Sequence, residues 1–106
     1  MKDNIKKLTD ENFSQLTRTG VTLVDFSAEW CGPCRTLEPI LEQLAVDLGN
    51  SITIGKLDID HAQKTTASFQ ITSVPTLILF KNGIEVERII GLKDKDSLKE
   101  IIQSAF

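Results

Sequence analysis

The chain has 106 residues, an apolar content of 41% and a formal net charge of −3. That length suits one domain with one real core, so residues 1–106 are read as a single domain. No basic block marks a nucleic-acid surface and no apolar run approaches a membrane span.

The start, Met1-Lys2-Asp3-Asn4-Ile5-Lys6-Lys7, lacks the apolar core of a secretion signal. A soluble cytoplasmic protein is expected, in a compartment that keeps thiols reduced. Ile5 to Leu8 reads as a short strand. A helix follows, with Thr9 as its cap, Asp10 and Glu11 in its positive first turn, and Leu8 stapled to Phe13. It should end near Thr19-Gly20. Val21 to Ala28 shows little polar alternation, which predicts a strand covered on both sheet faces.

Next comes Trp30-Cys31-Gly32-Pro33-Cys34, which holds the only two cysteines. After it, Leu37, Ile40, Leu41, Leu44, Ala45 and Leu48 fall at helical spacing. Pro39 should bend that helix and Gly49-Asn50 should stop it. Ile52 to Ile59 is a third strand. Asp60 to Phe69 is a short helix, with Asp60 and Gln63 spaced like a capping box. Thr76 to Lys81 is a buried strand, joined through the hairpin turn Asn82-Gly83 to Ile84 to Ile90. Leu98, Ile101, Ile102 and Ala105 mark one face of a closing helix capped by Asp94.

The order βαβαβαββα predicts an α/β fold. Helix-linked strands favour parallel pairing with right-handed crossovers, while the last hairpin must be antiparallel. A mixed sheet with helices on both faces follows. Reactive sites in open α/β sheets gather at the carboxyl ends of strands, where the cysteine motif lies.

Helix geometry puts Cα atoms three residues apart at roughly 5 Å, inside the window for a disulfide. The loop so closed is tiny and constrains the unfolded chain weakly, which argues against a structural staple. Pro33 suits the first helical position and Gly32 lets the chain turn. Cys31 then sits at the positive end of the helix, which favours its thiolate, the attacking form. Cys34, further into the helix, should be the more sheltered. The expected chemistry is attack by Cys31 on a substrate disulfide, then release by attack of Cys34 on Cys31. A structural disulfide, a metal site and two inert thiols compete with this reading. Two thiols and His61 cannot furnish four metal ligands, so no metal is expected; no cofactor is expected either.

Asp25 interrupts a strand that otherwise reads as buried, and burial raises a carboxyl pKa. It is a candidate proton acceptor for Cys34, directly or through water, against the alternative of an edge or hydrogen-bonded structural aspartate. Trp30 is either a partly buried core residue or a flat apolar contact beside Cys31. On their own, Lys56 reads as a snorkelling lysine, Pro75 as a strand-start residue and Gly91 as a loop glycine.

Taken together, Val24-Asp25-Phe26, Ala28 to Cys34, Pro39-Ile40-Leu41, Lys56 to Asp60, Val74-Pro75-Thr76, Phe80 to Gly83 and Gly91 resemble the thioredoxin family over nearly the whole chain. The resemblance implies a five-stranded mixed sheet flanked by four helices. It implies reduction of disulfides in client proteins, with the dithiol restored by a flavin-dependent, NADPH-driven thioredoxin reductase. It places Lys56 beside Asp25. It also implies a cis Val74-Pro75 bond next to the cysteines, with the Val74 backbone pairing to an extended substrate segment, Gly91 leaving it room and Trp30 contacting it. A monomer suffices for such transient encounters.

Three departures stand out. Ser27 occupies a position where the family often has a large aromatic, which should loosen packing or admit water toward Asp25. Arg35 replaces a frequent lysine, and Lys93-Asp94-Lys95-Asp96 forms a charged loop. Rival functions are an oxidase or isomerase on the same fold, and a binding module whose dithiol is incidental.

Overall fold

The computed structural model describes residues 4–106. Met1 to Asp3, part of the segment read for a secretion signal, lie outside the described residues. In chain order the elements are β1 (Ile5–Leu8), α1 (Phe13–Thr17), β2 (Val21–Ser27), α2 (Gly32–Leu48), β3 (Thr53–Asp58), α3 (Gln63–Ser68), β4 (Thr76–Lys81), β5 (Ile84–Ile90) and α4 (Lys95–Gln103). A short 3₁₀ turn, Gly49–Ser51, follows α2. The order is the predicted one. The strands form one sheet, β1-β3-β2-β4-β5, in which β3 pairs parallel with β1 and β2, while β4 pairs antiparallel with β2 and β5.

Alternation along β2 sorts the core. Leu23 faces one side, where it joins Ile54, Leu77 and Leu79 under Leu37, Leu41 and Leu44 of α2 and Leu98 and Ile102 of α4. Val24 and Phe26 face the other side with Leu57, Ile78 and Phe80. Phe13 and Leu16 of α1 and Phe69 after α3 cover them, with Phe69 lying 5.3 Å from Phe80 and 5.4 Å from Phe13 between ring centroids. Cover on both faces explains why β2 and β4 read as continuous apolar runs. Gly55 marks a close approach: a Cβ there would lie 2.6 Å from Cδ1 of Leu8 on β1.

The predicted hairpin and last cap form as expected. Asn82 and Gly83 both take positive φ, 52° and 83°, the conformation that a two-residue turn demands. Asp94 accepts from the backbone N–H of Ser97 at 3.1 Å and starts α4. Lys95 and Asp96, expected in a charged loop, instead open the first turn of α4, because Asp94 caps it, and Lys95 donates to Asp47 of α2 at 3.0 Å.

The starts of α1 and α3 differ from expectation. Thr9 and Asn12 exchange bonds, Thr9 N donating to Asn12 Oδ1 at 2.7 Å and Asn12 N to Thr9 Oγ1 at 3.2 Å. They cap a turn, and α1 begins only at Phe13. Asp10 serves α3 instead of α1: its carboxylate accepts from Thr65 N at 2.9 Å, Thr65 Oγ1 at 2.7 Å and Lys64 N at 3.3 Å. The box expected from Asp60 is correspondingly absent. Its carboxylate goes to Trp30, and Ala62 occupies the N-cap of α3.

Candidate active site

β2 delivers the chain to the carboxyl edge of the sheet, where Ala28 O accepts from Cys31 N at 3.2 Å and turns it into α2. Cys31 is the N-cap, with extended backbone at φ −96° and ψ 114°. Its Sγ accepts from the backbone N–H of Cys34 at 3.2 Å. Sulfur therefore stands where a capping oxygen ordinarily stands, satisfying one of the free N–H groups of the first turn. Gly32 and Pro33 fill the first two helical positions, so Pro33 is second rather than first. Its missing N–H costs nothing there either. Arg35 reaches back from α2 and donates through Nη1 to Glu29 O at 2.6 Å, bracing the loop that carries Trp30.

Cys31 and Cys34 are joined as a disulfide, with Cα atoms 5.3 Å apart. Their exposures are 5% and 3%. In this oxidised form the two sulfurs thus differ by hydrogen bonding, and the greater shelter expected for Cys34 is slight.

Around them, Val74 packs against Ala28, Cys31 and Cys34, and the Val74-Pro75 bond is cis. Pro75 O accepts from Gly91 N at 2.9 Å. Gly91 has φ 94° and open space where a side chain would be. Trp30 is 67% exposed, which excludes the core reading. Its indole Nε1 donates to Asp60 Oδ2 at 3.0 Å, fixing a flat apolar face beside Cys31.

Asp25 lies behind this edge, on the α2 side of β2, with no solvent exposure and no hydrogen-bond partner for either oxygen. Burial pushes its pKa up from 3.8 to about 7; the Lys56 ammonium pulls it down and Glu38 pushes it further up. Lys56 is the register partner of Asp25 on β3, as the resemblance implied. Its Nζ, however, lies 2.6 Å from Glu38 Oε2, so that charge is shared. Sequence reasoning missed Glu38: it is 18 residues from Lys56, and only the packing of α2 on β3 joins them. Ser27 is buried on the same face of β2, and its hydroxyl also has no partner. It lines a cleft of about 880 Å³ together with Glu38, Lys56 and Asp58. Among the described residues, no group of three or more His, Cys, Asp or Glu side chains could hold a metal, and no helix is long and apolar enough to cross a membrane.

The family model for thioredoxin matches residues 4–104. The chain belongs to the thioredoxin family. It is 52% identical to a thioredoxin of Chlamydia pneumoniae over 98 residues, covering 92% of this chain and 95% of the relative. A thioredoxin of Staphylococcus saprophyticus is 46% identical over 99 residues, covering 93% and 95%. The solved structure of a mutant thioredoxin from Halobacterium salinarum superposes with a TM-score of 0.88 at 37% identity, covering 97% of this chain and 91% of that one. The five-stranded mixed sheet with four helices is thus the thioredoxin fold, as the resemblance implied. This thioredoxin-family chain is a protein-disulfide oxidoreductase with a redox-active Cys31–Cys34 pair.

Proposed function

We propose that residues 1–106 work as a single, monomeric thioredoxin domain that reduces client-protein disulfides in the cytoplasm and is restored by thioredoxin reductase. It needs no bound metal or cofactor of its own. The carrying observation is the Cys34 N–H aimed at Cys31 Sγ at the tip of α2. In the reduced protein, a donor and a helix N-terminus directed at one sulfur stabilise its thiolate.

Cys31 thiolate attacks one sulfur of the client disulfide, and the other leaves as a thiolate. Cys34 then loses its proton to Asp25 and attacks Cys31 Sγ. The second client sulfur leaves and takes a proton from solvent. Two electrons have passed from the dithiol to the client. Gly32 and Pro33 hold the helix start. Trp30 offers an apolar face, the Val74 backbone pairs with an extended client segment beside Pro75, and Gly91 leaves that segment space. Lys56 tunes the proton affinity of Asp25.

Insulin disulfide reduction, coupled to NADPH and thioredoxin reductase, tests this. Cys31→Ser abolishes it, and Cys34→Ser accumulates a covalent adduct with oxidised client. A Cys31→Ser protein that reduces insulin at the parent rate overturns the reading.

A further inference from the structure

The mechanism leaves one proton without an exit. Once Asp25 has taken it from Cys34 and the client has left, the carboxyl still has no contact with solvent in the oxidised protein. The next cycle requires the proton to reach solvent through neighbouring groups. Ser27 stands two residues along β2, on the same face. A strand rises about 3.3 Å per residue, so the two side chains start about 6.6 Å apart. One water with two hydrogen bonds of about 2.8 Å bridges up to about 5.6 Å, and the reach of the aspartate side chain beyond its Cβ covers the rest. Asp25 does not line the cleft between β1, β3 and α2, whereas Ser27 does; the Ser27 hydroxyl oxygen is itself buried, so a rotamer change about Cα–Cβ is what brings it to cleft water. Both residues carry buried oxygens that no protein group satisfies.

We propose that Ser27 is the proton relay between the Asp25 carboxyl and solvent in this cleft. The inference rests on the reading of Asp25 as proton acceptor. A hydroxyl both accepts and donates, so Ser27 can take a proton from the Asp25 side while passing its own to cleft water, ending unchanged. The charged groups nearby do not offer that service. Lys56, facing Asp25 from β3, has three donors and no acceptor while charged. Glu38, facing from α2, is held by Lys56 at 2.6 Å. The remaining charges stand along the cleft lining, with Lys6 and Lys7 on β1, Glu29 in the loop after β2, Glu42 on α2, and Asp58 paired with the exposed His61 at 3.2 Å. The carboxylates among them place proton acceptors where the relay delivers.

The test is proton exchange at Asp25 itself, read from its ¹³C carboxyl resonance through a pH titration of the full-length protein. Ser27→Thr keeps the hydroxyl; Ser27→Val has the same shape without it; Ser27→Ala removes it without adding bulk. The parent and Ser27→Thr give one averaged line that moves with pH. Ser27→Val and Ser27→Ala broaden that line near its midpoint, with exchange slowed about a hundredfold, at the low end of what a positioned proton-transfer group supplies. Equal exchange in all four proteins overturns the relay, as does slowing by Lys56→Met with none by Ser27→Val. Single-turnover resolution of the mixed disulfide in Asp25→Asn separates the two ideas. If that step keeps its parent rate, the acceptor role of Asp25 fails; if it slows while exchange ignores Ser27, only the relay fails.

Discussion

Replacing Asp25 with asparagine isolates the energetic effect of a buried, unpartnered carboxyl. Burial raises the folded pKa from 3.8 to about 7, so between these values the folded state holds a proton that the unfolded state has released. Stability contributed by the protonated carboxyl is complete below the unfolded pKa. It is lost as pH rises, until both states are ionised. Integrated over the shift, the loss is on the order of 4 kcal/mol at pH 8 and less than about 1 kcal/mol at pH 4. The variant lacks this loss but buries an amide with the same missing partners, a penalty of about 1–3 kcal/mol that does not depend on pH. Comparing two pH values removes that penalty. Urea unfolding of the oxidised protein should therefore show Asp25→Asn gaining about 3–4 kcal/mol on the parent between pH 4 and pH 8. Resolution of the mixed disulfide should slow by about a hundredfold, as expected for loss of a positioned base. Equal pH dependence of stability in the two proteins would refute the raised pKa, and an unchanged resolution rate would refute the acceptor role.

Three further outcomes follow from the same geometry. Lys56→Met removes the charge that lowers the Asp25 pKa and moves its titration upward, whereas Glu38→Gln removes the charge that raises it and moves it downward; carboxyl ¹³C shifts read both, and movement in one direction for both variants contradicts the assignment. Asp10→Ala exposes the first N–H groups of α3 to hydrogen exchange at Lys64 and Thr65. Its carboxyl pKa is held down by the Thr65 hydroxyl, so the stability it adds is present above the unfolded pKa and disappears as pH falls through the lower folded value. Gly55→Ala forces its Cβ onto Leu8 and destabilises by about 1–3 kcal/mol in urea unfolding; in the double variant with Leu8→Ala the two losses are less than additive, and strict additivity excludes the clash.

Local signals were legible and distant ones were not. β4, β5, the Asn82-Gly83 turn and the Asp94 cap form where the residues indicated, because each depends on neighbours within a few positions. The cysteine motif was legible for the same reason: a helix start brings its two ends within bonding range. Asp10 carries a standard first-turn signature, yet Thr65 and Lys64, 55 and 54 residues away, claim its carboxylate. Asp60 likewise leaves its helix for the indole of Trp30, 30 positions distant. Glu38 reads as a polar residue of an amphipathic helix until β3 places Lys56 against it. In each case the competing partner is equally polar and better placed in three dimensions, so propensity alone gives the wrong one.

The arrangement around Asp25 also explains why a costly carboxyl can persist at the centre of this sheet. A pKa near neutrality requires burial to prevail over a neighbouring cation, and burial without that cation would carry the group higher still. Lys56 supplies the opposing pull from the adjacent strand. Glu38 weakens that pull by holding the ammonium at 2.6 Å from its own oxygen. The partly exposed ion pair contributes little stability of its own, and its consequence is the proton affinity of a third residue. Ser27 belongs to the same logic. A large aromatic there would fill the cleft beside Asp25, whereas, on the relay proposed above, a small hydroxyl keeps a polar step between the carboxyl and solvent. Proton affinity and proton access then rest on different residues around this face of β2, and substitution can separate them.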